Sequence, residues 1–411
     1  DDEPGNAEPR NDEPSNEETS HEETRKPGMT DVMDPADTTP LPDCEDALHE
    51  IASASTGHSD FGPEDYREGL RILLRACEQE SNLSPLGRVL AKGQVLSVLQ
   101  GRLRSEAGFA QHPDSAQNSI RRPLIIVGMP RTASTSLHRM LSRDPGLQGL
   151  EMWIAEAPQP RPEREEWKDN PHFVECDTRT RALYEAAPEM RAIHEMDADE
   201  VDECWHLLRQ NFGSVTYECN FRIPSYSRWW AECDMGPAYA RYRRNLQLIG
   251  ARHPGRRWLL KDATHMFHLE TLLETFPDAC VVTTARDLVK IVPSVASLTA
   301  VGMRSVVADF DPHAHGRAQL DLWKRGLAKI EAICSTLPAD RLYRMDFDDF
   351  QADPVREAKR IYGRFGLGVS SEAESAMRMW CEHNQRGAHG AHDYSPEEFG
   401  LTAEQIRTEF A

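Results

Sequence analysis

The chain has 411 residues, of which 39% are apolar, and this is enough for one large domain or two ordinary ones. Its formal net charge is −21, and no basic face is evident that could neutralise phosphates, which excludes nucleic acid as the main partner. No apolar run approaches the ~18 residues that a membrane helix needs. We therefore expect a cytoplasmic protein without a membrane span.

The N-terminal segment is strongly acidic, and its first 28 residues hold one apolar residue, Ala7. Such a segment cannot bury enough surface to offset its ordering entropy. Together with the Pro-, Asp- and Thr-rich stretch that follows, it is predicted to form a disordered acidic leader over residues 1–43. Helical periodicity begins after it, and Ser84 and Pro85 have the residue types of a helix start. Residues 44–120 are predicted to form an N-terminal helical layer, as a scaffold or a lid.

Four segments have the composition of buried strands, and segments with helical spacing separate them: residues 124–127, 257–261, 280–284 and 341–345. This alternation is typical of βαβ units, which build a parallel sheet with ligands at the carboxyl ends of its strands. We therefore predict an α/β fold in three layers, with a central, mostly parallel β-sheet flanked by helices, over residues 121–411.

Within this domain, residues from about 150 to 255 are predicted to form a helical insertion. It contains an aromatic-rich interval between Phe212 and Trp230. Aromatic residues at this density usually build a core, and they can also line a pocket for an organic acceptor. Residues 301–316 are predicted to form a mobile flap over that pocket.

The first predicted strand runs into the sequence GMPRTASTS, residues 128–136. This order of residue types indicates a buried strand, a tight loop and a helix N-terminus. A helix start leaves backbone N–H groups unpaired and carries about half a positive charge, so it can hold a phosphate. Hydroxyl donors and one permanent charge are available in the same run: Thr132, Ser134, Thr135, Ser136 and Arg131.

The loop departs from the phosphate loop of nucleotide triphosphatases, G-x-x-x-x-G-K-[ST], because Ser134 stands where that pattern has Lys. A cation stands inside the loop instead, at Arg131. The run Arg131–Thr135 resembles the Lys/Arg-[ST]-Gly-[ST]-[ST] pattern of the sulfotransferases that use 3′-phosphoadenosine-5′-phosphosulfate. Ala133 replaces the Gly of that pattern, in a place that asks for a backbone φ that Ala tolerates.

A second pattern follows the strand predicted at 280–284, where Arg286 precedes Ser294 by eight residues. An Arg at a strand end and a hydroxyl on the next helix can grip a phosphate from two sides. This spacing resembles the 3′-phosphate site of the same family. The family's donor carries a 5′- and a 3′-phosphate on one ribose, so the resemblance implies that both patterns bind one nucleotide, with adenosine 3′,5′-bisphosphate as the product.

Two further segments resemble the bacterial branch of the family, and the resemblance covers roughly residues 120 to 411. In the segment from Trp258 to His265, Asp262 and Ala263 replace a Ser-Pro pair. In the closing motif, Arg386 and Gly387 match a run that caps the 3′-phosphate, and Ala388 replaces its Lys.

The resemblance implies sulfuryl transfer by in-line displacement to a hydroxyl of a small-molecule, lipid or carbohydrate acceptor. Arg131 and Lys261 are predicted to neutralise the charge that develops in such a reaction. The acceptor must also lose a proton to a base. Glu151 is the first candidate for this base, His265 is the alternative, and the pair His194–Glu195 is a third.

No metal is expected. The nine cysteines are scattered and odd in number, which favours reduced structural thiols over disulfides or a zinc site. His389 and His392 could bind a metal, but the sequence offers no third ligand nearby.

Two other functions stay open at this stage. One is a P-loop kinase or NTPase, which the missing Lys disfavours and which a requirement for Mg²⁺ would reveal. The other is a nucleotide-binding homologue that has lost catalysis, which the departures at Ala133, Asp262, Ala263 and Ala388 leave open. The acceptor's identity and the formation of a homodimer cannot be read from the sequence.

Overall fold

A computed structural model of the chain describes residues 32–186, 195–384 and 395–410. Its centre is a five-stranded sheet in the order β2-β3-β1-β4-β5, and each neighbouring pair is parallel. The predicted α/β fold is therefore confirmed. The strands are β1 Leu124–Gly128, β2 Leu147–Gln148, β3 Arg257–Lys261, β4 Cys280–Ala285 and β5 Leu342–Asp346.

The sheet lies between two apolar cores, because the strands bury side chains on both faces. In β1, Ile125 and Val127 belong to the larger core, whereas Leu124 and Ile126 belong to the smaller core on the opposite face. Successive residues of a strand point to opposite faces, so a continuous apolar run fills both sides. This arrangement produces the three layers that the sequence predicted.

Three helices form the N-terminal layer: α1 Glu45–Thr56, α2 Arg67–Glu80 and α3 Pro85–Gln111. Ser84 starts α3 as predicted, since its Oγ accepts the N–H of Gly87 at 3.0 Å. The prediction of a leader up to residue 43 is wrong for its last part, because Val32 and Leu41 are buried. The buried Lys92 of α3 explains this, since its Nζ donates to the carbonyl of Val32 at 2.9 Å and to Asp37.

Helices also connect β1 to β3, and most of them lie in the predicted insertion: α4 Ser134–Leu141, α5 Met152–Glu156, α6 Pro171–Ala186, α7 Trp205–Leu208, α8 Val215–Asn220, α9 Pro224–Glu232 and α10 Gly236–Ile249. Most of the aromatic side chains between Phe212 and Trp230 are buried, so they build core as their density suggests. The edge strand β2 was not predicted, because two residues are too short to show an alternating pattern.

The rest of the chain adds helices on both faces of the sheet: α11 Leu269–Thr275, α12 Leu288–Val306, α13 Pro312–Cys334, α14 Phe347–Ala352, α15 Pro354–Arg364, α16 Ser371–His383 and α17 Ala403–Glu409. The segment 301–316, predicted as a flap, is mostly helical, because α12 continues to Val306 and α13 already begins at Pro312. Asp311 starts α13, since its carboxylate accepts the N–H groups of His313 at 2.8 Å and Ala314 at 3.1 Å.

Short 3-10 segments complete the described structure: Leu41–Cys44, Glu64–Tyr66, Pro113–Gln117, Arg164–Asp169, Arg209–Asn211, Gly250–Arg252, Thr264–Met266 and Pro396–Phe399. All nine cysteines are free in the structure. Among the described residues, none of the helices combines the length and the apolarity that crossing a bilayer requires.

Candidate active site

The loop after β1 turns tightly into α4, as predicted. Thr132 is fully buried under it, and its hydroxyl donates to the carbonyl of Met129 at 2.7 Å and lies 2.6 Å from the hydroxyl of Thr284 in β4. Gly128 permits this packing, because a Cβ there would lie 2.2 Å from Thr284 Oγ1. The loop is therefore fixed from below, and the first turn of α4 presents its free N–H groups above it.

Two residues of the loop have left-handed backbone: φ is +67° at Arg131 and +65° at Ala133. Ala133 directly precedes the first residue of α4, which explains why the family pattern has Gly at this position. Of the hydroxyl residues that follow, Ser134 is buried, Ser136 is half-buried and Thr135 is exposed.

The second predicted pattern lies beside this loop. β4 pairs with β1 in parallel, with Gly128 opposite Thr284, and Arg286 follows its last residue. Arg131 Nε donates to Ser294 Oγ at 3.1 Å, and Arg286 Nη1 donates to the carbonyl of Arg131 at 2.8 Å. The structure thus brings Arg131, Arg286 and Ser294 into one cluster at the carboxyl edge of the sheet.

Lys261 approaches the loop from the other side, at the end of β3, where it lies opposite Ile126 of β1. Its Nζ donates to Thr135 Oγ1 at 2.9 Å and forms an ion pair with Glu203. A small cleft lined by these three side chains also reaches His138, Glu195 and Asp202. The hydroxyl of Thr135, the ammonium group of Lys261 and the carboxylate of Glu203 are therefore in contact at the first turn of α4.

Glu203 is the site residue that sequence analysis missed. The backbone N–H of Cys204, the next residue, donates to the carbonyl of Lys261 at 3.0 Å and holds the segment against the end of β3. The sequence signal is an acidic run, DADEVDE at 197–203, directly before α7. Nothing local in that run shows which acid faces Lys261, because the contact joins residues far apart in the chain.

The cleft shifts the pKa values of two neighbouring groups. Burial, together with the positive charge of Lys261, lowers the pKa of His138 to about 3, so this imidazole is neutral. Burial and the carboxylate of Glu203 raise the pKa of Asp262 to about 8. Asp262 Oδ1 accepts the N–H of Thr264 at 2.6 Å, so this departure from the family's Ser-Pro pair organises the turn after Lys261.

Glu151 and His265 contact groups other than Lys261, whereas Glu195 lines the same cleft as Lys261. Glu151 is half-buried, 2.9 Å from the guanidinium of Arg161, and desolvation of its carboxyl group raises its pKa. His265 is fully buried, its Nδ1 lies 2.8 Å from the hydroxyl of Tyr239, and burial lowers its pKa to about 3. Glu195 forms an ion pair with Arg139 at 2.7 Å.

The remaining predicted residues lie outside the described part of the chain: His194, Arg386, Gly387, Ala388, His389 and His392. Within the residues that the structure describes, no group of three or more His, Cys, Asp or Glu side chains could hold a metal ion.

Comparison with known proteins identifies the class that this fold and site define. A model described as the sulfotransferase family matches residues 123–371, which is more than half of the chain. The chain therefore belongs to the sulfotransferase family, as the sequence resemblance predicted.

Two solved structures resemble the whole architecture. The sulfotransferase STF1 of Mycobacterium tuberculosis H37Rv is 38% identical, with a TM-score of 0.83 over 92% of this chain and 99% of that chain. STF9 of Mycobacterium avium is 27% identical, with a TM-score of 0.81 over 89% and 94%. A third relative, from M. tuberculosis CDC 1551, is named omega-hydroxy-beta-dihydromenaquinone-9 sulfotransferase Stf3 and is 23% identical over 69% of this chain and 71% of its own length.

Proposed function

We propose that this protein transfers a sulfuryl group from 3′-phosphoadenosine-5′-phosphosulfate to a hydroxyl of an acceptor. The observation that carries the proposal is the hydrogen bond of 3.1 Å from Arg131 to Ser294. It joins the loop that resembles the 5′-phosphosulfate site to the pair that resembles the 3′-phosphate site. Two anion sites this close suit the two phosphates of a single ribose.

The residues present fit a nucleotide with two separate anionic groups. The first turn of α4 offers free backbone amides that can bind a phosphate. We assign to this anion site the residues of that turn and the two that precede it: Thr132, Ala133, Ser134, Thr135 and Ser136. Arg286 retains a buried Nε that has no hydrogen-bond partner among the described residues, so it has a donor to spare. We assign the 5′-end to Arg131 and this turn, and the 3′-phosphate to Arg286 and Ser294, with Arg386 and Gly387 as proposed additions.

The donor, when bound, supplies the sulfuryl group and a phosphate leaving group. Arg131 and Lys261 are the cations placed to neutralise negative charge at the transferring group, one on each side of the loop. Sulfuryl transfer, like phosphoryl transfer, depends mainly on such positioning and charge stabilisation. Thr135, which accepts from Lys261 Nζ, holds the ammonium group over the helix start.

The acceptor's proton is assigned to Glu203. Its carboxylate contacts Lys261, whereas Glu151 contacts Arg161 and His265 contacts Tyr239. In this step the acceptor oxygen forms a bond to sulfur, the bond from sulfur to the bridging phosphate oxygen breaks, and the hydroxyl proton moves to Glu203. The phosphate leaves with the electron pair of the broken bond.

The acceptor is proposed to be a small molecule or a lipid with a free hydroxyl. The relative Stf3 is named for an ω-hydroxylated menaquinone derivative, which belongs to this class. No metal enters the proposed reaction, since the cations that stabilise charge are the side chains of Arg131 and Lys261.

The test is transfer itself. The purified protein is incubated with the donor and a panel of alcohols and phenols without Mg²⁺, and sulfated products are sought by mass spectrometry. We expect one or more products and release of adenosine 3′,5′-bisphosphate. A protein that binds the bisphosphate but sulfates nothing in the panel would indicate the inactive homologue, and strict dependence on Mg²⁺ and a triphosphate would indicate a kinase or NTPase.

A further inference from the structure

A cavity of about 420 Å³ lies apart from the Lys261 cleft, between α8 and α9 on one side and α12 and α13 on the other. Small-molecule sites typically occupy about 300–1,000 Å³, so this space can hold an organic ligand of moderate size. None of the residues assigned to the donor site lines this cavity. We refer to it as the α8–α13 cavity.

The wall of the α8–α13 cavity is mostly apolar. Its inner surface is made by side chains that the fold buries almost completely, among them Phe221, Ile223, Met303, Val307 and Leu322. Apolar surface of this kind gains free energy when a hydrocarbon or aromatic group displaces water. The cavity therefore favours an apolar ligand over one with many hydroxyls.

Four of the charged side chains at the cavity form two ion pairs. Glu218 accepts from Arg325 Nη2 at 3.1 Å, and Arg222 lies 3.5 Å from Asp309. Arg228, Asp311 and Asp321 also line the cavity, which makes three basic and four acidic side chains in all, so the charges give the cavity little preference for an anion or a cation. The ligand that suits both the wall and these pairs is neutral and apolar.

Helix α8 connects this cavity to the proposed transfer site. At the residue that caps α8, Ser214 Oγ lies 3.5 Å from the hydroxyl of Thr264, three residues after Lys261. At its other end, Glu218 already lines the cavity. Four helical residues rise about 6 Å, which is the separation of Ser214 and Glu218 along the helix axis.

One face of α8 is partly exposed. Thr216 and Cys219 are half-buried there. Burial raises the pKa of the Cys219 thiol, and the carboxylates of Glu218 and Glu203 raise it further.

We infer that the α8–α13 cavity holds the apolar body of the acceptor, whose hydroxyl reaches along α8 to Glu203 and Lys261. The inference rests on the proposed function and narrows it, since it selects neutral, elongated, apolar alcohols or phenols and disfavours carbohydrates. The helices that line the cavity set acceptor specificity, and the loops after β1 and β4 hold the donor.

The experiment uses straight-chain alcohols as probes. Calorimetry measures the affinity of butanol, hexanol and octanol for the full chain saturated with adenosine 3′,5′-bisphosphate, and a transfer assay measures kcat/KM for the same three alcohols. Each added methylene should raise affinity and kcat/KM about fourfold, the factor that corresponds to ~0.8 kcal/mol per buried CH₂. Affinity or turnover that does not change with chain length would overturn the inference.

A filled cavity provides the matched comparison. Ala318 lines the α8–α13 cavity from α13, and Ala332 lies exposed on the same helix away from it. Ala318→Trp should weaken octanol at least tenfold while the affinity for the bisphosphate stays unchanged, and Ala332→Trp should change neither. Ala314→Trp, one turn before Ala318, serves as a second variant if Ala318→Trp does not fold.

The outcomes separate the two proposals. Loss of chain-length dependence in Ala318→Trp or Ala314→Trp, with Ala332→Trp unchanged, supports the cavity as the acceptor site. Octanol that binds Ala318→Trp and Ala314→Trp as tightly as the unchanged protein overturns it. Failure of the unchanged protein to bind the bisphosphate would contradict the proposed function instead, because the probe alcohols report on the cavity and the nucleotide reports on the donor site.

Discussion

Arg131 donates a hydrogen bond from Nε to the hydroxyl of Ser294 over 3.1 Å, although 163 residues separate the two in the chain. Arg131 belongs to the loop after β1, and Ser294 to the second turn of α12, which follows β4. The contact is possible because β1 and β4 are neighbours in parallel register, so that their carboxyl ends meet at one edge. A nucleotide with two phosphates on one ribose can therefore touch both loops.

The hydroxyl of Ser294 should contribute to nucleotide affinity. Ser294→Ala removes a neutral donor to a charged phosphate, an interaction that contributes about 1.5–3 kcal/mol. We expect adenosine 3′,5′-bisphosphate to bind roughly tenfold to hundredfold more weakly, since about 1.4 kcal/mol corresponds to a factor of ten. Calorimetry measures this, with Ser305→Ala at the exposed end of the same helix as control. Equal affinities of Ser294→Ala and the unchanged protein would remove Ser294 from the site.

Glu203 should govern the chemical step. Glu203→Gln keeps the size of the side chain but removes the base, and general-base catalysis contributes about 10²–10⁴-fold. We expect kcat to fall within this range while the affinity for adenosine 3′,5′-bisphosphate is retained. Steady-state kinetics with an accepted alcohol measures the change, and Glu195→Gln, an acid of the same cleft paired with Arg139, should keep most of its activity.

Chemical rescue separates a base from a residue that only holds Lys261. Glu203→Ala leaves room for a small carboxylate, so added formate should restore part of the rate in proportion to its concentration. Formate that restores nothing, together with a Glu203→Gln variant of near-normal kcat, would return the assignment to Glu151 or His265.

His265 should affect stability toward acid and leave turnover largely intact. Burial lowers the pKa of His265 from 6.5 to about 3 in the folded protein, so its stabilising contribution is present above pH 6.5 and is lost as the pH falls toward 3. Between these values the free energy of unfolding falls by up to roughly 1.4 kcal/mol per pH unit on account of this group.

His265→Gln should therefore flatten that slope, measured by urea unfolding at several pH values. His383→Gln, an exposed position, is the control. An unchanged slope would contradict the buried, neutral state of His265, and a collapse of kcat with an unchanged donor affinity would make His265 the base.

Gly128 should be required for the approach of β1 to β4. A Cβ at Gly128 would lie 2.2 Å from Thr284 Oγ1, whereas a Cβ at Gly255 would meet no atom within 4 Å. We expect Gly128→Ala to lower the free energy of unfolding by about 1–3 kcal/mol, as overpacking does, and Gly255→Ala to change it little. Chemical denaturation measures both. Equal free energies of unfolding for the two variants would show that β4 can move away from a Cβ at position 128 without loss of stability.

The parts of the site that the sequence predicted are local ones. The loop after β1 and the Arg286–Ser294 spacing each occupy one strand, one turn and one helix start, and such corners have recognisable residue types. Their meeting also followed from the sequence, through the resemblance to a family whose donor has two phosphates.

The parts that were missed depend on long-range contacts or on weak local signals. Glu203 reaches Lys261 only because the N–H of Cys204 binds the carbonyl of Lys261 across the fold. The N-terminal stretch around Val32 is ordered by Lys92, far along the chain. The early start of α13 had a local sequence signal in Asp311 and Pro312. The α8–α13 cavity had no local signal, because it forms between helices that are distant in sequence.

The central claim is that the Arg131 loop and the Arg286–Ser294 pair hold two phosphates of one adenosine. The most direct measurement is a calorimetric comparison of adenosine 3′,5′-bisphosphate with adenosine 5′-monophosphate and adenosine 3′-monophosphate on the unchanged protein and on Arg286→Ala. We predict that the bisphosphate binds the unchanged protein far more tightly than either monophosphate, and that Arg286→Ala removes its advantage over the 5′-monophosphate. Three ligands of equal affinity, or an Arg286→Ala variant that still prefers the bisphosphate as strongly, would contradict the account.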